Sequence, residues 1–289
     1  MATNPTGPVT LKTLRRMTDE GRLFACLTCY DATTARWLAR GGVHVLLVGD
    51  TAAEMVLGFD RTIDAPLDFM VTLTAGVKRG APDLVVMADM PFMSYHASPD
   101  DAVANAGRFL VEGHADIVKI EADASFAPLV ERMTRAGIPI CAHVGSRPQR
   151  AALTSGYGSA GRTADEARRI VDDAVALEQA GAVMLLAEAV PDEVTSTILA
   201  RTNAPLIGIG AGPACHGQVL VLQDLLGMSD APPRFAEPAA ALGPRIAEAA
   251  ATWADRVARR SVGGTRYTMK PGETLAATAG KKSADPAPE

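Results

Sequence analysis

A closed (β/α)8 barrel is the fold class this sequence predicts, and three observations predict it. Short apolar runs alternate with longer amphipathic stretches along most of the chain. Several amphipathic stretches end in a glycine that leads straight into the next apolar run: Arg40-Gly41-Gly42, Glu112-Gly113, Ala136-Gly137 and Ala180-Gly181. Five successive runs then stop at ionisable side chains. Glycine past a helix C-terminus supplies the left-handed conformation that closes it. Helix, glycine and strand in repetition is the rhythm of a parallel βαβ sheet.

The strand-like runs, in order, are Leu23–Thr28, Val43–Val48, Leu84–Ala88, Asp116–Ile120, Ile138–His143, Val183–Ala187 and Leu206–Ile209. An eighth is expected near Pro233-Arg-Phe235-Ala. Among the helices, Pro99–Glu112 repeats Val103, Ala106, Phe109 and Leu110 at helical spacing behind Ser98 as N-cap. Thr163–Ala180 opens with the capping-box pattern Thr163-Ala-Asp-Glu166. Ala239–Arg259 reads as a C-terminal helix. The glycine-rich GIGAG at 208–212 follows the seventh run rather than the first, so it suits a barrel mouth better than the dinucleotide loop of an open doubly wound sheet. The expected organisation is one barrel domain with an N-terminal helix over 1–262. A tail over 263–289 follows, disordered in its Ala-, Lys- and Pro-rich end from Ala276.

The bulk numbers agree. The chain has 289 residues, 48% of them hydrophobic, which suits a single core of the size that barrels build from about 250 residues. With a net charge of −5 and no basic run, nucleic acid is excluded as a partner. The longest apolar stretches, such as Val45–Val48 and Val183–Ala187, are strand-sized and far below the roughly 20 residues of a membrane helix. Met1–Thr10 carries no signal-peptide core, so a cytoplasmic protein is expected. Cys26 and Cys29 form a CxxC, but within a strand-like run and with no second pair, so core packing explains them better than zinc or redox chemistry.

Chemistry gathers where the strands stop. The second strand ends in Asp50-Thr51, the third in Asp89, the fourth in Lys119-Ile-Glu121, the fifth in His143 and the sixth in Glu188. In a parallel barrel these ends open on one face. Lys119 and Glu121, two apart, share a side of their strand, and such a pair is costly to bury unless its charges are used or mutually satisfied. Asp50, Asp89 and Glu121, with few thiols nearby, suit a hard cation such as Mg2+. The pattern points to metal-assisted, aldol-type carbon–carbon chemistry on a 2-oxo acid.

The motifs TCYDATTA (28–35), LLVGDT (46–51), KRGAPD (78–83), ADMPFMSY (88–95), VKIE (118–121) and IGIGAGPACHGQVLVLQDLLG (207–227) stand in an order that resembles the ketopantoate hydroxymethyltransferase family from about Leu11 to Val257. The resemblance implies a barrel of the phosphoenolpyruvate/pyruvate superfamily, assembled as a homo-oligomer, usually a decamer. It implies Mg2+, a small 2-oxo acid and 5,10-methylenetetrahydrofolate as one-carbon donor, with 2-dehydropantoate, a precursor of pantothenate and coenzyme A, as product. By motif position it implies Asp50 and Asp89 as metal ligands with Glu121 beside the metal. It places Asp50, Thr51, Asp89, Lys119 and His143 against the 2-oxo acid and Glu188 as general base. The chain departs from the family pattern at several places. Thr51 replaces a serine, and Ala122-Asp123 replaces Gly-Gly. Gly145-Ser-Arg-Pro-Gln-Arg150 replaces a GLTPQS-like loop, Ala160 stands in a Gln-Gly-Arg loop, and His216 replaces an aspartate. The C-terminal EHSF-like motif is missing, with Thr265-Arg-Tyr-Thr-Met269 nearby. Two further readings fit these residues: a divergent relative doing aldol or lyase chemistry on another 2-oxo acid, and a non-catalytic scaffold paralogue.

Overall fold

The computed structural model describes residues 7–154, 156 and 158–275, so the expectation of disorder from Ala276 onward lies outside the described residues. Helix α1 (Leu11–Asp19) precedes β1 (Phe24–Thr28), and α2 (Ala32–Arg40) leads to β2 (Val45–Val48). The short α3 (Ala52–Met55) and the longer α4 (Leu67–Gly80) lead to β3 (Val85–Asp89). Then come α5 (Pro99–Val111), β4 (Ile117–Glu121), α6 (Ala127–Arg135) and β5 (Ile140–Gly145). The short α7 (Ala151–Thr154) and α8 (Ala164–Gln179) precede β6 (Met184–Glu188). Last are α9 (Asp192–Arg201), β7 (Leu206–Ile209), β8 (Gly217–Leu220), the short α10 (Leu222–Leu225) and α11 (Leu242–Ala258).

The strands pair in chain order and close, with β1 parallel to both β2 and β8. The expected barrel is what the chain forms. Strands β2, β3 and β4 are buried at every residue, because barrel packing covers one face and helices the other. Helix starts follow the sequence signals. Ser98 accepts from the Asp101 N–H, and the Thr163–Glu166 capping box is complete. Of the helix-ending glycines, Gly42, Gly137 and Gly181 take positive φ as expected. Gly113 does not. There His114 carries the left-handed turn, while a Cβ on Gly113 would lie 2.6 Å from the Phe109 carbonyl, so this glycine is needed for space instead.

One strand is corrected. The eighth is Gly217–Leu220, paired with β7 and β1, and Pro233–Ala236 forms a turn closed by the Ala236 N–H on the Pro233 carbonyl. The segment GQVL hides from pattern reading because it is short and opens on a glycine and a glutamine. That glycine is obligatory: a Cβ there would lie 2.3 Å from the Phe24 ring. His216, just before it, sits at the opposite end of the barrel from the strand termini. Its Nδ1 accepts from the Leu206 N–H, so this departure from the family pattern is structural.

All four cysteines are buried and free. Among the described residues, no helix is long and apolar enough to cross a membrane. The chain divides into two compact units, Met1–Gly243, which contains the barrel, and Pro244–Glu289, which carries most of α11. Helix α11 buries none of its residues, and Ile246, Trp253 and Val257 are exposed along it.

Candidate active site

Strand register decides which chemical groups meet. Asp89 is level with Lys119, Glu121 with His143, and Gly145 with Glu188. The charged ends of β3 to β6 therefore form one arc at the C-terminal mouth, where barrels place their reactive groups. Asp50 joins it from the turn after β2, donating its backbone N–H to Asp89 Oδ2 at 3.1 Å. All of the expected residues converge except Thr51. That residue is half-buried at the N-cap of α3 and makes no side-chain capping bond, and its hydroxyl lies on the Asp89 side of the turn, where a Cβ on Gly49 would stand 3.5 Å from both Thr51 Oγ1 and Asp89 Oδ2.

Lys119 holds the centre. Its Nζ pairs with Asp89 Oδ1 at 2.9 Å and stands 3.4 Å from His143 Nδ1. An ammonium only donates, so His143 Nδ1 accepts and its Nε2 carries the proton. That Nε2 faces Glu188 Oε2 at 3.4 Å without forming a hydrogen bond, which leaves a buried ring nitrogen unsatisfied. Burial, and then the Lys119 charge, hold His143 neutral, well below the ordinary histidine pKa.

The carboxylates are shifted the other way. Burial and then Asp89 push Asp50 up to about 7, although Lys119 opposes them. Burial raises Asp89 against the same opposition, and burial followed by Asp50 raises Glu121 well above its ordinary value. Glu188 is also pushed to about 7, by burial foremost. Unlike the others its side chain is 22% exposed, facing the mouth. Lys119 stays charged, because Asp89, Asp50 and Glu121 together outweigh the effect of burial. One fixed cation among four acids leaves the arc short of positive charge.

Glu188 is set by its surroundings. Gly145, level with it, has φ +94°, and a Cβ there would lie 2.6 Å from the Glu188 carbonyl. Only glycine fits. The next residue, Ala189, takes φ 48°, a sparsely used conformation for alanine, and is held there by bonds from its N–H to Ile209 and from Ala160 to its carbonyl.

Sequence reasoning missed Gln149 and Tyr95. Gln149 Nε2 donates to Asp50 Oδ2 at 2.8 Å and to the Met90 carbonyl at 3.0 Å. Its backbone N–H faces both Glu121 oxygens at 3.2 and 3.1 Å, and its Oε1 accepts from Tyr95 OH at 2.7 Å. Uncharged residues in loops give no electrostatic signal in a sequence. Their one mark was membership of the ADMPFMSY motif and the Gly145–Arg150 loop.

Among the described residues, no three His, Cys, Asp or Glu side chains are grouped as a ready metal cage. The donor set is instead two adjacent carboxylates, Asp50 and Asp89, with Glu121 turned toward Gln149. Hard cations such as Mg2+ usually take one or two carboxylates and complete their shell with water and substrate oxygens. Two buried carboxylates, each raised by burial and Asp50 raised further by Asp89, fit that requirement.

The sequence profile of the ketopantoate hydroxymethyltransferase family matches residues 8–264. The chain belongs to that family. It is 43% identical over 251 residues to the 3-methyl-2-oxobutanoate hydroxymethyltransferase of Heliobacterium modesticaldum, covering 86% of this chain and 91% of that protein. It is 39% identical to the Shouchella clausii protein of the same name, over 92% of this chain and 95% of that one. Among solved structures, a phosphoenolpyruvate phosphomutase from Streptomyces platensis shares the fold at TM-score 0.61 and 13% identity, covering 88% of this chain and 89% of that one. A 2,3-dimethylmalate lyase, described as a member of the PEP mutase/isocitrate lyase superfamily, shares it at TM-score 0.57 and 19% identity, over 92% and 93% of the two chains. The family resemblance and the barrel read from the sequence are both borne out.

Proposed function

We propose that this family member transfers a one-carbon unit from 5,10-methylenetetrahydrofolate to C3 of 3-methyl-2-oxobutanoate, giving 2-dehydropantoate, with Glu188 removing the C3 proton. The observation that carries the base assignment is the position of Glu188. It is the arc's one acid that opens to the mouth, its pKa lies near 7, and it stands across His143 from Lys119. A base tuned close to the operating pH combines availability with proton affinity.

Lys119 supplies fixed positive charge to the developing enolate, and its charge is assured by Asp89. His143 stays neutral with its Nε2 facing Glu188, so it leaves that carboxylate without a neutralising charge. Thr51 offers a hydroxyl to the 2-oxo acid on the Asp89 side of the turn. Asp50 and Asp89 are the residues to hold Mg2+, with Glu121 close by. A Mg2+ ion held by these residues would supply Lewis-acid polarisation of the keto oxygen of the substrate. The C3 carbanion then bonds to the folate's methylene carbon; both of that carbon's bonds to nitrogen are broken over the reaction, water supplies the hydroxyl, and tetrahydrofolate leaves.

Proton–deuterium exchange at C3, followed by NMR, tests the base. The wild type should exchange with Mg2+ and 3-methyl-2-oxobutanoate alone, and lose exchange when the metal is chelated. With the folate present, 2-dehydropantoate should form. Exchange without product would instead favour the divergent-relative reading. Homo-oligomeric assembly in the cytoplasm belongs to the same proposal. The apolar Ile246, Trp253 and Val257 along α11 support self-association, which sedimentation measures directly.

A further inference from the structure

Two departures from the family pattern meet in space. Asp123 follows β4, where the family has glycine, and Arg147 and Arg150 lie in the loop after β5, where the GLTPQS-like pattern has uncharged residues. Asp123 Oδ2 accepts from Arg147 Nη1 at 2.8 Å and from Arg150 Nη1 at 3.0 Å. Its other oxygen accepts from the Ser125 backbone N–H and hydroxyl. The two arginines bracket Pro148 and Gln149 in a single turn, closed by the Arg150 N–H on the Arg147 carbonyl at 2.9 Å. Gln149 lies inside that bracket.

We propose that Asp123, Arg147 and Arg150 form an ion-pair clasp that positions Gln149 against Asp50 and Glu121. The geometry points inward from the clasp. At one end, the Ser146 N–H is tied to the Glu188 carbonyl at 2.9 Å. At the other, both arginines hold a carboxylate that stands just beyond Glu121. Between these anchors every hydrogen-bonding group of the Gln149 amide is used, on Tyr95, Asp50 and the Met90 carbonyl, and its backbone N–H serves Glu121. A turn shifted by one ångström would break these bonds together. The clasp is also sheltered enough to matter. Asp123 is 23% and Arg147 20% exposed, well below the fully solvated pairs that contribute little, while Arg150 at 45% is the weaker arm. Asp123 and the arginines touch no reacting group, so they are positioning residues that act through Gln149.

The proposal rests on the reading of Asp50 and Glu121 as active-site carboxylates. It predicts that losing the clasp loosens substrate and metal binding while leaving the base untouched. Asp123→Ala should raise KM for 3-methyl-2-oxobutanoate about tenfold, the scale of one lost charge-assisted contact, and weaken Mg2+ binding by calorimetry to a similar degree. The C3 exchange rate at saturating substrate and Mg2+ should stay within about threefold. Arg147→Met should reproduce this, Arg150→Met should show less, and Asp123→Asn should recover part of the loss. The double variant Asp123→Ala/Arg147→Met should be no worse than Asp123→Ala alone, and Gln149→Ala should add nothing further to it. Multiplying effects in the double variant, or an unchanged KM in Asp123→Ala and Arg147→Met, would overturn the clasp. Asp50→Asn and Glu121→Gln serve as controls. If they retain full activity the site assignment fails, whereas their inactivity beside an unaffected Asp123→Ala removes the clasp alone. Thermal unfolding of each variant separates a loosened turn from a lost fold.

Discussion

Glu121 and Asp123 stand two residues apart at the end of β4, and their carboxylates are in opposite electrostatic states. Glu121 is buried among other acids, and burial followed by Asp50 raises its pKa well above the ordinary range. Asp123, half-buried on the rim, has the desolvation that would raise it outweighed by Ser125 and Arg147, and falls to about 2. The difference is one of supply. Inside the mouth, four acids share Lys119, so charge is left unsatisfied where a cation and a reacting oxygen can use it. On the rim, one acid takes two guanidiniums and a capped turn, so charge is spent on holding the loop. Strained electrostatics mark the chemistry, and satisfied electrostatics mark its support.

Removing the base should have the largest effect. Glu188→Gln should lower C3 exchange by about 10²- to 10⁴-fold with substrate binding retained, and undiminished exchange removes Glu188 from that role. Lys119→Met strands Asp89 in the interior. Denaturant unfolding at pH 7 should show a loss of about 3 kcal/mol, and full stability would mean that Asp89 finds another cation. Gly145→Ala combines a strained φ with a clash on the Glu188 carbonyl. It should destabilise by about 2 kcal/mol and slow exchange, two effects that unfolding and NMR measure separately.

A pH series sharpens the contrast without any substitution. The carboxylate form of Glu188 is the active one, and its pKa is raised to about 7 from 4.5, so exchange should fall roughly tenfold per unit as pH drops below that value. Asp123 has a depressed folded pKa. Its contribution to stability is therefore present in full above its ordinary 3.8 and is lost only as pH falls toward about 2. Between pH 7 and 5 activity should collapse while the clasp persists, and coincident loss of both would show that they titrate together. The smallest expected effect is on stability at the rim, where Asp123→Asn should cost about 1 kcal/mol at pH 7 by chemical denaturation.

The seven apolar runs and the glycine-terminated helices were legible in the sequence, because strands buried on both faces read as continuous hydrophobic segments. The eighth strand was not. GQVL is four residues long and opens on a glycine that is there to clear Phe24, so its identity is set by a neighbour distant in sequence. At the site, Asp50, Asp89, Lys119, Glu121, His143 and Glu188 announced themselves as charged ends of apolar runs. Gln149 and Tyr95 did not, since neutral loop residues acquire meaning only from what they touch. Asp123, Arg147 and Arg150 appeared as unrelated departures until folding brought them within hydrogen-bonding distance.

The barrel, the face on which its chemistry lies and the family to which the chain belongs are all written in the linear chain, because periodicity and strand-end charge are local properties. Tertiary structure alone decided the electrostatic division of labour. Strand register places Asp89 beside Lys119 and Gly145 beside Glu188, and the Arg147 ion pair joins Asp123 to the turn that carries Gln149. Those pairings span tens of residues, and burial and charge supply take their values only when the barrel is closed.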